Sequence, residues 1–117
     1  MRIKTNIPFQ TFNDGVCRIC SLENAGEKGR LPVMELREKA GRAPFENRRV
    51  GVKRFFDAKQ ENVEIDKVIR IPDAYQVSTQ DVCILDGIQY GVYQVQSVPG
   101  AIPGAQDLSL KRLEEKY

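Results

Sequence analysis

The residues best suited to chemistry are the cysteines, and their spacing points two ways. Cys17-Arg-Ile-Cys20 has the gap of half a zinc site or of a redox dithiol. A zinc site needs a second pair or histidines, yet the sequence adds only Cys83 and contains no histidine. A redox dithiol belongs at a helix N-terminus after a strand, and no such context follows Cys20. If the run is a strand, residues three apart also point to opposite faces. An odd number of cysteines without a secretory context argues against a disulfide framework. The thiols are therefore expected to be reduced, small, buried hydrophobes, with no metal or cofactor.

Other reactive groupings are equally sparse. Asn47-Arg48-Arg49, with Lys53 and Arg54, has the makings of a phosphate contact, but Asp57, Glu61 and Glu64 lie nearby and a solvated sheet face is the default. Glu114-Glu115 reads as solvating charge. There is no nucleotide-binding glycine loop between a strand and a helix, and no carboxylate pair in a pKa-tuning context. The chain is expected not to be an enzyme.

With 117 residues, 41% hydrophobic and 29% charged, the chain suits a single globular domain with a modest core. A net charge of +2 selects no partner. No apolar run approaches the roughly 20 residues needed to span a bilayer, and the N-terminus lacks a signal-peptide core, so the expected location is the cytoplasm, with no membrane partner.

Most structural information lies between Val50 and Val98, where short β-branched and aromatic runs alternate with turn formers. Val63, Ile65, Ile69 and Ile71 follow a period of two, predicting a half-buried strand ended by Pro72. Asp81 to Leu85 and Gln89 to Val95 flank Asp86-Gly87 and should pair as a hairpin. A two-residue loop would set Leu85 opposite Ile88. A three-residue loop separates apolar from polar better, placing Val82, Ile84, Tyr90 and Val92 on one face, and is preferred. The apolar parity switches after Val92 to Tyr93 and Val95, which predicts a bulge.

Further strands are expected over Val16 to Leu22 after an Asn13-Asp14-Gly15 turn, over Asn47 to Phe56, and over Ala105 to Glu114, where Leu108 and Leu110 share a face. Residues 57–62 suit a helical turn or tight loop, the Pro-Gly pairs between Val98 and Gly104 suit a connector, and the tail from Leu113 should fray. Residues 1–12 form an arm with Ile3, Ile7, Phe9 and Phe12 available for packing. Residues 23–47, punctuated by Gly26, Gly29, Pro32, Gly41 and Pro44, read as a long charged loop with a short helix over Val33 to Ala40. The expected fold is mainly β: one small antiparallel β-barrel of about six strands, with a long early loop and at most short helices.

Val50-Gly51-Val52-Lys53-Arg54-Phe55-Phe56-Asp57-Ala58-Lys59-Gln60, with Ile65, Ile69-Arg70-Ile71-Pro72, Asp81, Tyr90, Gln94-Val95-Gln96 and Leu108-Ser109-Leu110, resembles the head-tail connector proteins of long-tailed phages and prophages of Gram-positive bacteria. Among these the head closure, or stopper, group is most similar. The resemblance implies a β-barrel that assembles as a dodecameric ring at the virion neck; since contacts that close a ring can be weak pairwise, the subunit is expected to be monomeric in isolation. Its partners there would be portal and adaptor proteins above and tail terminator or tail proteins below. A long early loop faces the channel in proteins of this kind, which makes Arg30, Arg37, Lys39 and Arg42 candidates for inter-subunit ion pairing or non-specific contact with packaged DNA. Related folds serve as tail terminators. An oligonucleotide-binding barrel stacking bases on Phe55, Phe56, Tyr90 and Tyr93 is the alternative from another class.

Overall fold

The computed structural model describes residues 10–27, 29–49 and 64–117. These contain six strands: β1 (Gly15–Asn24), β2 (Met34–Arg48), β3 (Lys67–Pro72), β4 (Asp81–Leu85), β5 (Ile88–Val98) and β6 (Ala105–Arg112). All neighbours are antiparallel, in the order β1-β2-β3-β6-β5-β4, and β4 returns to pair with β1. The sheet is thus a small closed ring of strands, the mainly β, barrel-like fold expected from the sequence. No helix among the described residues is long and apolar enough to cross a membrane.

Alternation along the strands builds the interior. Cys17, Ile19, Phe45, Ile69, Ile71, Cys83, Leu85, Val92, Leu108 and Leu110 are buried in one cluster, with Tyr75, Val77, Tyr90 and Val95 packed against it. Ile69 is paired across the ladder with Leu108, so both point inward. A ring this narrow has its interior filled by side chains. Cys17, Cys20 and Cys83 are all buried and free. Cys17 belongs to the inner cluster and Cys20 does not, as their three-residue spacing on a strand requires. Cys17 and Cys83 are hydrogen-bonded to each other through their side chains. That bond holds Cys17 below the usual thiol range against the opposing effect of burial, and the same bond together with burial pushes Cys83 up.

The outer face of β3 and β6 carries a polar tie. Arg70 donates from Nε to Asp107 Oδ1 at 2.8 Å and from Nη2 to Oδ2 at 3.2 Å, a two-pronged pair largely shielded from solvent. Asp107 raises the pKa of Arg70 mainly through that hydrogen bond. Arg70 also donates to Gln10 Oε1 at 3.0 Å, while Gln10 Nε2 donates to Glu46 and Gln10 N to the Ile102 carbonyl at 2.7 Å. The end of the expected N-terminal arm is thereby stitched to β2, β3 and the β5–β6 connector, whereas residues 1–9 lie outside the described set.

Several expectations are corrected. The β4–β5 hairpin uses the two-residue loop: Leu85 faces Ile88, Ile84 faces Gln89 and Cys83 faces Tyr90. Asp86 and Gly87 have φ of 50° and 78°, the two positive values of a type I′ turn, whose twist matches the flanking strands. Turn geometry outweighs the cleaner apolar segregation of the three-residue register. The bulge after Val92 is present, with Val92 paired to Leu110 and Gln94 to Ser109. The strand expected from Val63 begins at Lys67 and ends at Pro72. The tail from Leu113 lies beside β5, where Tyr117 N donates to Gln89 Oε1 at 2.8 Å and Gln89 Nε2 donates back to the Tyr117 main-chain O at 2.6 Å. Of the strand expected over 47–56, residues through Arg48 belong to the end of β2. Its remainder from residue 50, like the turn at 57–62, lies outside the described residues.

Truncating Ile69, which is fully buried, to Ala should lower stability by about 3 kcal/mol in urea denaturation. Gly87→Ala should cost about 1 kcal/mol, because a Cβ there meets no atom within 4 Å and only the positive φ resists it.

Candidate functional site

The largest correction concerns residues 23–47, where Glu23–Asn24 and Met34–Asn47 lie on β1 and β2, no helix forms over Val33 to Ala40, and the loop shrinks to the connection between the two strands. Ser21 pairs with Arg37, Leu22 with Leu36, Glu23 with Glu35 and Asn24 with Met34, a continuous ladder. β1 meets β4 only over Arg18–Ser21, and among the described residues β2 meets β3 only over Glu46–Arg48. Beyond those points the two strands pair with each other and leave the barrel as a two-stranded ribbon. Good helix formers in Met34–Ala40 yield to this ladder, which supplies hydrogen bonds, a Leu22–Leu36 contact position and an ion pair across it. Pro44 sits on β2 ahead of its first β3 partner, an edge position that tolerates a missing N–H. Gly41 has φ of 75°, next to Lys39 and Ala40, which have no partners on β1 because Ile19 faces Gly41 and Cys20 faces Glu38.

That bulge fixes the root of the ribbon. It swings Lys39 so that its Nζ donates to Asp81 Oδ2 at 2.8 Å, the same oxygen that accepts from Ser78 N at 2.8 Å. Asp81 is 4% exposed and opens β4, so the pair joins the ribbon's root to the strand that closes the barrel. At the far end, Asn24 Oδ1 accepts from Gly26 N at 2.9 Å and Val33 N at 3.1 Å, while Ala25 N donates to the Val33 carbonyl at 2.7 Å. A side-chain amide acting as a backbone surrogate thus shapes the tip.

The four candidate cations fall along this ribbon in different circumstances. Arg30 pairs at 3.2 Å with Glu27 in the tip, Arg37 at 3.0 Å with Glu23 across the ladder, and Lys39 with Asp81 at the root. Arg42 is exposed, lies opposite Arg18 and makes no ion pair among the described residues, while Arg18 pairs loosely with Glu38 at 3.8 Å. The structure therefore strings the cations along one element, with three of the four already neutralised inside the chain.

The tip itself presents apolar surface. Leu31 is 87% exposed, Val33 55% and Met34 38%, three large hydrophobes within four positions. Sequence reasoning absorbed Val33 and Met34 into a helix and passed over Leu31. The signal was present as Leu31-Pro-Val-Met34, an uncharged run inside an otherwise charged stretch.

Of the aromatics considered as base platforms, Tyr90 packs against the core and Tyr93 is the bulged, half-buried residue of β5. Phe55 and Phe56, with Lys53 and Arg54, lie outside the described residues. No family model matches the chain, and comparison with curated proteins finds no match.

The two kinds of ion pair should separate by mutation. Lys39→Met leaves the buried Asp81 carboxylate short of a partner and should cost about 1–3 kcal/mol, whereas Arg30→Met, breaking an exposed pair, should cost less than about 0.5 kcal/mol. Equilibrium unfolding in urea reads both.

Proposed function

We propose that this chain is a structural ring subunit of a phage head-tail connector, most similar to the head closure proteins, acting at the virion neck below the portal and adaptor. The observation that carries this reading is a closed barrel with a projecting two-stranded ribbon whose tip exposes leucine, valine and methionine. A closed barrel with one protruding arm that exposes apolar side chains suits repeated subunit contacts. The residue pattern described above over Val50 to Gln96 and Leu108-Ser109-Leu110 supplies the family side of the proposal.

In this reading the barrel is the ring's wall and the ribbon reaches toward the channel or the adjoining ring. Because Arg30, Arg37 and Lys39 are paired within the chain, the ribbon's grip is chiefly apolar, and Arg42, which makes no ion pair among the described residues, is the cation left for packaged DNA or a neighbour's acids. Assembly in the host cytoplasm proceeds from subunits that are monomeric in isolation, because individually weak contacts hold once a portal gathers many copies.

Electron microscopy of particles made with and without this chain tests the proposal. Loss of the chain should leave tailless heads that release their genome, with the chain located directly below the portal-adaptor complex in intact virions. Sealed heads beside tails of uncontrolled length would move it to the tail terminus, and unaffected particles would overturn the connector reading. Tight binding of short oligonucleotides at low salt, with no place in particles, would point instead to a nucleic-acid-binding barrel.

A further inference from the structure

Past the level of Ser21 and Asp81 the ribbon shares no ladder with the barrel among the described residues, so its direction is set where it leaves. β1 passes through that point paired with β4 on one side and β2 on the other. β2 is irregular there. Between Glu38 and Gly41 it takes three steps while β1 takes one, from Cys20 to Ile19, which makes Lys39 and Ala40 surplus to the ladder. Surplus residues beside a glycine at φ of 75° bend one strand of a pair more than the other and so turn the ribbon. Because those residues have no β1 partners, the ladder alone does not fix the angle of the turn.

We propose that the bulge over Lys39 to Gly41 is a hinge and that the Lys39–Asp81 pair is the latch that holds the ribbon at one angle to the barrel. Three observations support it. Lys39 lies on β2 and Asp81 on β4, so their 2.8 Å contact reaches past β1 and joins two strands that are not neighbours in the sheet. The acceptor is itself held fast: Asp81 is buried, pairs with Ser21 in the seam, accepts from Ser78 N through the same Oδ2 at 2.8 Å and donates its own N–H to the Ser78 carbonyl at 3.1 Å. Finally, the ribbon's other ion pairs among the described residues give no such hold. Arg30–Glu27 and Arg37–Glu23 tie the ribbon to itself, and Arg18–Glu38 joins adjacent strands loosely at 3.8 Å in solvent. Removing the Lys39 ammonium leaves the seam, the Ser78 bonds and the interior cluster in place, so the barrel keeps its fold while the ribbon loses its angle. All of these contacts lie within one subunit, and the latch therefore does not rest on the connector reading.

The test uses the full chain with nitroxide labels on two exposed ladder positions, Glu35→Cys on the ribbon and Ser97→Cys on the barrel, while the three native thiols are buried. Pulsed electron spin resonance should then give one narrow distribution of distances. Adding Lys39→Met should broaden that distribution by about twofold or more while circular dichroism still reports the folded barrel, because the hinge then samples a range of angles. Lys39→Arg restores a cation and should keep the distribution narrow. An equally narrow distribution in folded Lys39→Met would overturn the latch. So would a broad distribution with Lys39 in place, a result that decides the matter even if Lys39→Met does not fold.

Discussion

The four residue pairs joining Arg18–Ser21 of β1 to Asp81–Ile84 of β4 are what the rest of the structure depends on. They turn an open sheet with two unsatisfied edges into a ring whose backbone partners are supplied from within. They also enclose the interior cluster, since Cys17 and Ile19 on one side of the seam and Cys83 and Leu85 on the other face the same core. Because β4 begins at Asp81, the seam stops at Ser21, and everything β1 and β2 do beyond that level lies outside the barrel. The same residue that starts β4 receives Lys39, so the limit of the barrel and the anchoring of the ribbon are set at one place.

The ribbon separates two tasks by position. Along its length, charges meet partners at ladder spacing, as with Arg37 and Glu23, and contribute solubility and stiffness more than stability. At its end, uncharged side chains stand in water, where they stabilise nothing in the isolated chain and become favourable once covered. Burial of those side chains against any apolar surface would be favourable.

The sequence disclosed the barrel well and the arm badly, for identifiable reasons. Period-two runs around Ile69–Ile71 and Leu108–Leu110 announce inward faces directly, and the shift of parity at Val92–Tyr93 marks the bulge. The hairpin register was missed because apolar segregation was weighed above the twist that Asp86-Gly87 imposes. The arm was missed because its glycines and prolines are breakers only on average. Gly26, Gly29 and Pro32 do sit at a turn, but Gly41 belongs to a bulge and Pro44 to a strand edge, where each is compatible with a ladder. Cross-strand partners decide such cases, and pairing between Glu23 and Arg37 is invisible until the register is known. The four cations expected on a loop fall instead along the ribbon, Arg30 in its tip and Arg37, Lys39 and Arg42 on β2, while Val33 and Met34 of the apolar tip lay inside the expected helix.

A ribbon that pairs only with itself is also an adjustable length. Each residue added to both strands extends it by about 3.4 Å, and additions in twos keep every side chain on its original face. The interior cluster, the seam and the Lys39 anchor all lie below the level where such changes occur. A change of sequence can therefore reset how far the arm reaches without renegotiating the barrel.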